Sequence, residues 1–155
     1  MRKILLVTIV VIMVAVWGGI ALAADTNTLT VTATVLGVCK FNTAAETLAF
    51  GTLDPSSAAN GTGTATATFW CTNGTTGTLA AGQGLYYSSS NRMRSAAHTT
   101  AFIPYSLGLS PTSTTGSGKS TPITLTITGT VLNADYINAL QTNDYTDTVS
   151  VTITP

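Results

Sequence analysis

Tyr145-Thr-Asp-Thr-Val-Ser-Val-Thr-Ile-Thr-Pro155 decides how the rest of the chain is read. Side chains in a strand alternate between two faces. That period places Tyr145, Val149, Val151 and Ile153 on one face and Thr146, Thr148, Ser150, Thr152 and Thr154 on the other. The alternation predicts a half-buried β-strand at the very end of the sequence. A second alternating run lies near the other end, Thr28-Leu-Thr-Val-Thr-Ala-Thr-Val35, with Leu29, Val31, Ala33 and Val35 as its apolar set.

Between these two runs the pattern is strand and turn. Thr28 to Phe41 reads as extended, with a phase break at Leu36-Gly37: the apolar positions are odd before it and even at Leu36 and Val38. A glycine at a phase change predicts a bulge, a bend, or two separate strands end to end. Leu48 to Gly51 reads as a short strand, and Gly61 to Cys71 as a longer one in which Thr alternates with Ala. Thr72-Asn-Gly-Thr75 has the residues of a tight hairpin turn. Thr78–Ala81 and Leu85–Ser88 are short candidates. Ala101–Ser110 is stronger, though Pro104 confines it to an edge or a strand start. Ser110–Ser120 is a loop of Ser, Thr, Gly and Pro, and Pro122–Val131 alternates cleanly. Val131–Gln141 offers at most one helical turn. Six or seven short strands predict an all-β domain, an immunoglobulin-like sandwich with a closed barrel as the rival.

The chain has 155 residues, but its start has the composition of a signal peptide. Arg2 and Lys3 precede an apolar run from Ile4, which ends in Ala21-Leu-Ala23. A charged start, an apolar middle and a small-residue cleavage motif predict removal of residues 1–23, before Ala24. A retained membrane anchor is the alternative. Cleavage leaves about 130 residues, the size of one domain. That mature chain carries Lys40, Arg92, Arg94 and Lys119 against Asp25, Glu46, Asp54, Asp135, Asp144 and Asp147, a net charge of −2. Such a balance gives no electrostatic footprint for nucleic acid. Charged residues are only 8% of the chain. Threonine supplies the polar face instead, since it is β-branched and hydrogen-bonds water.

The chain has two cysteines, Cys39 and Cys71. In an exported protein a disulfide is the default. A loop of about thirty residues closed in this way stabilises by roughly 3–4 kcal/mol in the chain-entropy treatment. A metal pair or a catalytic thiol would need partners, and His98 is the only histidine. No nucleophile–His–acid set, metal cluster or phosphate loop is present, so we expect no enzyme, no metal site and no cofactor. Arg92 and Arg94 are candidates for an anion or glycan contact, or for a solvated loop with an internal ion pair.

Four stretches together carry a family resemblance. They are Val31-Thr-Ala-Thr-Val-Leu-Gly-Val-Cys39, Leu48-Ala-Phe-Gly-Thr-Leu-Asp54, Cys71-Thr-Asn-Gly-Thr75 and Asp144-Tyr-Thr-Asp-Thr-Val-Ser-Val-Thr-Ile153. Asn91-Arg-Met-Arg94 and the Tyr105-Ser-Leu strand are weaker matches. In this order and spacing the chain resembles the spore coat protein U domain family, which includes subunits of archaic chaperone–usher pili. It departs from the family pattern by closing on Pro155 rather than on an aromatic residue.

The resemblance implies an incomplete immunoglobulin-like β-sandwich completed by donor-strand exchange. Residues 24–35 would be the donor extension, with Leu29, Val31, Ala33 and Val35 as inserting side chains. Residues 36–155 would be the pilin domain, with Tyr145, Val149, Val151 and Ile153 on the strand bordering the acceptor groove. Implied partners are identical or related pilin subunits, a periplasmic chaperone and an outer-membrane usher, with no nucleic acid and no membrane for the mature form. The implied destination is the cell surface, reached through the periplasm, in a pilus serving adhesion or biofilm formation. The alternative is a stand-alone or tip-located β-sandwich that binds a glycan or a surface.

Overall fold

The computed structural model describes residues 24–42 and 46–155; the expected signal peptide lies outside the described residues. Of the described residues, 24–34 belong to one unit and Val35–Pro155 form another. In the first, residues 24–34 carry no strand, and Leu29 and Val31 are 85% and 82% exposed.

The second unit is nearly all β. Its elements are β1 (Cys39–Phe41), β2 (Gly61–Cys71), β3 (Thr76–Gly84), β4 (Asn91–Ser95), β5 (Phe102–Ser110), β6 (Ser113–Thr115), β7 (Ile123–Val131), the single helical turn α1 (Asn133–Tyr136), β8 (Tyr145–Thr146) and β9 (Val149–Thr154). Six strands form one antiparallel sheet in the order β1-β2-β7-β5-β4-β8, and three form a second in the order β6-β3-β9. The two sheets make an all-β sandwich.

The long β2 and β7 are adjacent interior strands of the larger sheet, and both alternate along their length. Their register pairs Ala65 with Ile127, Ala67 with Leu125 and Phe69 with Ile123 on the inner face. On the outer face it pairs Thr62 with Thr130, Thr64 with Thr128, Thr66 with Thr126 and Thr68 with Thr124. Cross-strand Thr pairs favour the sheet, and their β-branched side chains suit its pleat. The result is a charge-free ladder of hydroxyls and methyls along the exposed side.

β5 changes partner along its length. Its first half pairs with β4 and its second half, from Ser106, with β7. Pro104 stands opposite Arg92 in the first half, where one side of the strand has no ladder neighbour. A residue that cannot donate a backbone N–H is tolerated there.

Several local expectations need correction. Leu48–Gly51 is not a strand. Its residues cross the inner face of the large sheet where Gly63 stands opposite Gly129. A Cβ on Gly63 would lie 2.6 Å from Ala49 O, and one on Gly129 would lie 2.8 Å from the Phe50 ring. The facing glycines make a trough that a crossing chain occupies, which uses the backbone's close approach rather than a ladder. Leu85–Ser88 is likewise a turn and bend rather than a strand.

The Asn73-Gly74 turn does not close a hairpin, since β2 and β3 belong to different sheets. Gly74 has φ +80°, no non-glycine residue among the described residues has positive φ, and Thr75 N–H donates to Thr72 O at 2.8 Å. One positive φ, at the third turn position, is the type II pattern; a hairpin turn of type I′ needs two. Type II twists against the flanking strands and splays them, so the chain passes to the opposite sheet.

The terminal strand is also divided. Tyr145–Thr146 pairs with β4 in the large sheet, and Val149–Thr154 pairs with β3 in the small one. Asp147 sits at the crossing. Its carboxylate accepts from its neighbour Thr148 N–H at 2.8 Å, a local side-chain bond of the kind that competes with a ladder.

Candidate functional site

Among the described residues β1 and β9 are sheet edges, β1 bonded only to β2 and β9 only to β3. They converge at the Cys39–Cys71 disulfide. There Cys39, Phe41, Val151 and Ile153 pack on a cluster of Ala65, Phe69, Cys71, Leu79, Leu125 and Ile127. Gly77 permits this closeness: a Cβ on it would lie 2.8 Å and 3.0 Å from the two sulfurs and 3.1 Å from Ile153 Cδ1.

Away from the bridge the edges leave the core open. A cleft of about 1090 Å³ runs from Phe41 past Ala65, Ala67, Leu125 and Ile127 to Ile103, Tyr105 and Leu107, with Val149 and Val151 on its β9 side. The core is consequently two clusters rather than one, the second centred on Ile103, Tyr105, Val131 and Tyr136. The cleft takes its lining from both. Its volume exceeds the upper end of the usual small-molecule range, about 1,000 Å³. It combines apolar side chains of both core clusters with polar ones such as Thr142, Asn143 and Asp147, and it lies beside the free edge of β9, where an extended chain could pair.

Of the residues expected to border the acceptor groove, Tyr145, Val149 and Val151 line this cleft. Ile153 lies at the disulfide end, beside Gly77. Val149, Val151 and Ile153 are only half-buried although they face inward. Leu29, Val31, Ala33 and Val35 are exposed, Val35 by 82%. The phase break at Leu36-Gly37 falls where the domain takes hold of the chain. Val38 N–H donates to Thr72 Oγ1 at 3.1 Å, the Thr72 hydroxyl donates to Leu36 O at 3.1 Å, and Thr72 N–H donates to Val38 O at 2.8 Å.

The sequence offers Asp144 and Asp147 as a carboxylate pair or as makers of turn and edge hydrogen bonds; what it does not reveal is the pairing of Asp147 with Tyr105. The Tyr105 hydroxyl donates to an Asp147 carboxylate oxygen at 2.6 Å. Burial, and then the Asp147 carboxylate beside it, push the Tyr105 phenol well above its ordinary range. The pair joins the large sheet to the point where the chain changes sheets. The signal was present: Asp147 shares the parity of Tyr145, Val149, Val151 and Ile153, so a carboxylate interrupts the inward stripe.

Asp144 holds the neighbouring loop. Its carboxylate accepts from the Thr142 hydroxyl at 2.6 Å and from Ala97 N–H at 2.7 Å. Those bonds, the Thr142 hydroxyl first, hold its pKa down at about 2. Among the described residues no group of three or more His, Cys, Asp or Glu side chains is placed to hold a metal ion. Among the same residues no helix is long and apolar enough to cross a membrane.

Arg92 and Arg94 do not sit in a solvated loop. They lie on β4, stacked on rings: Arg92 Cζ is 4.3 Å from the centroid of Phe102, and Arg94 Cζ is 4.1 Å from that of Tyr86.

The family model of the spore coat protein U domain matches residues 25–152, which takes in the N-terminal segment as well as the sandwich. The chain belongs to that family. No curated protein matches it.

Proposed function

We propose that this protein is a structural subunit of a surface pilus that polymerises by donor-strand complementation. The observation that carries the reading is an open cleft that exposes core side chains beside an edge of β9 with no ladder partner among the described residues, in a chain whose Leu29–Val35 run is apolar at every second residue and exposed. An open edge over exposed core invites uncontrolled association. A strand from the next subunit relieves both defects by adding a ladder to β9 and setting alternate side chains into the cleft. Leu29, Val31, Ala33 and Val35 span about 20 Å as a strand, long enough to run beside the six residues of β9. Such a fold is inseparable from its partner.

A subunit of this kind needs a periplasmic chaperone to fill the cleft before assembly and an outer-membrane usher to exchange that occupant for the next subunit. The proposed destination is the cell surface, with adhesion or biofilm formation as the role of the fibre; no catalysis is assigned. The test is deletion of residues 24–35 after the signal peptide. The truncated subunit should fold with its chaperone and accept one donor, yet build no fibre by electron microscopy. Long fibres from the truncated chain would refute the proposal.

A further inference from the structure

Met93 points into the cleft, so Arg92 and Arg94, its neighbours on β4, face the opposite side of the sheet. Four side chains are assembled there. Arg92 stacks on Phe102, Arg94 stacks on Tyr86, and the two rings meet edge to face with centroids 6.5 Å apart. Arg92 Nε donates to Tyr86 O at 3.0 Å, which ties the Leu85–Ser90 loop to the strand.

Stacking occupies a flat face of each guanidinium, Arg92 Nε is taken by Tyr86 O and Arg94 Nε is buried, so the paired Nη edges are what remains for a ligand. Those edges are the geometry that takes a carboxylate or sulfate by two parallel bonds. Among the described residues neither arginine has an ion pair, and Arg94 Nε is a buried nitrogen with no hydrogen-bond partner. The register sets Arg94 opposite Thr146 and not opposite an acid. The two acids flanking Thr146 are committed elsewhere, Asp144 to Thr142 and Ala97, Asp147 to Tyr105 and Thr148. With residues 24–155 carrying a net charge of −2, the two arginines stand together on one face, and among the described residues neither meets an acid.

We propose that this outer face of β4 is a binding site for an acidic polysaccharide, with the stacked guanidiniums of Arg92 and Arg94 taking carboxylate or sulfate groups on neighbouring sugars. Their Cα atoms stand about 7 Å apart along the strand, so the site reads a repeated anion rather than a single one. The adjoining loop supplies groups suited to a sugar. Ser88, Ser89 and Ser90 are hydroxyl donors and acceptors, and Tyr87 is a 41% exposed ring beside Tyr86. A rigid aromatic with a polar tip offers contact area at low entropic cost.

The test uses the assembled, exported protein with four immobilised probes: polygalacturonate, a sulfated dextran, unmodified dextran and polyglutamate. The expected result is retention on one or both acidic polysaccharides, weakening as salt is raised, and none on neutral dextran. Retention on polygalacturonate alone identifies carboxylate as the preferred group, and on sulfated dextran alone, sulfate. The double variant R92Q/R94Q should lose at least tenfold in affinity, while K40Q/K119Q stays within twofold of the parent. R92K/R94K keeps the charge and loses the forked geometry; it too should fall about tenfold, and it serves where the glutamine pair fails to assemble. Equal retention on polyglutamate, an equal loss in the two-lysine control, full binding by the two-lysine replacement of the arginines, or no retention on either acidic polysaccharide would each overturn the proposal. Fibre assembly is scored separately, so failure here leaves the donor-strand reading standing.

Discussion

The proposed donor role of residues 24–35 can be tested on a single polypeptide. A chain in which residues 36–155 are followed by a flexible linker and a second-site copy of residues 24–35 should fill its own cleft and behave as a monomer. Replacing Leu29, Val31 and Val35 by Thr in that copy keeps β-propensity and removes the apolar contribution. The free segment exposes these residues by 85, 82 and 82%. Full burial of such a side chain contributes about 1.5–3 kcal/mol. Scaled to the area still available, each gives roughly 1.2–2.5 kcal/mol, and the three together about 4–7 kcal/mol. Any hydroxyl carried into the cleft without a partner adds a further loss of about 1–3 kcal/mol. For a domain of this size each kcal/mol moves the midpoint by about 3–5 °C, so the substituted protein should melt at least roughly 12 °C below its parent. Calorimetry or circular dichroism reads this directly. A midpoint within about 3 °C of the parent would show that these side chains never enter the core, and the donor assignment would fall.

Other predictions follow from particular contacts. Replacing Cys39 and Cys71 together by Ala removes a crosslink across a separation of 32 residues, and denaturant unfolding of the self-complemented chain should show a loss of about 3–4 kcal/mol. Gly77→Ala drives a methyl against both sulfurs and Ile153 and should cost about 1–3 kcal/mol, seen as a lower midpoint with the disulfide still formed. Phe69→Ala, at a fully buried site, should cost about 3–5 kcal/mol by the same measurement. The Thr142 hydroxyl and then the Ala97 N–H hold the Asp144 carboxyl at a pKa of about 2, below its ordinary value. Its contribution is therefore complete above about pH 4 and is lost as the pH falls through about 2. Asp144→Asn should flatten that part of the acid limb while leaving stability at pH 7 to pH 5 parallel to the parent, and an unchanged limb would refute the assignment.

Where period-two patterning ran unbroken, the strands were legible: Gly61–Cys71 matches β2 to the residue, and β5 and β7 lie within the predicted stretches. Alternation records burial on one face, and that is a local property. Partner choice is not local, so nothing in Thr72-Asn-Gly-Thr75 alone separates a hairpin from a passage between sheets. Leu48–Gly51 has the residues of a strand, but it lies on two facing glycines whose register exists only after β2 and β7 pair. The cleft itself follows from which edges are left without neighbours, and that too is known only from the whole topology. Asp147 was readable as a break in the stripe, whereas its partner Tyr105 lies 42 positions away. The arginine and ring cluster joins residues of a loop and two strands, so its members could be named but not assembled.

The threonine ladder on β2 and β7 has a consequence for any long polymer of this chain. A filament repeats each surface charge along its length, so ionic groups on that wall would accumulate into a field that changes sign with acidity and fades with salt. Hydroxyls do not titrate over the natural range and need no counter-ions. In such a polymer a wall made of them would stay wetted and uncharged in fresh, brackish or acid water alike.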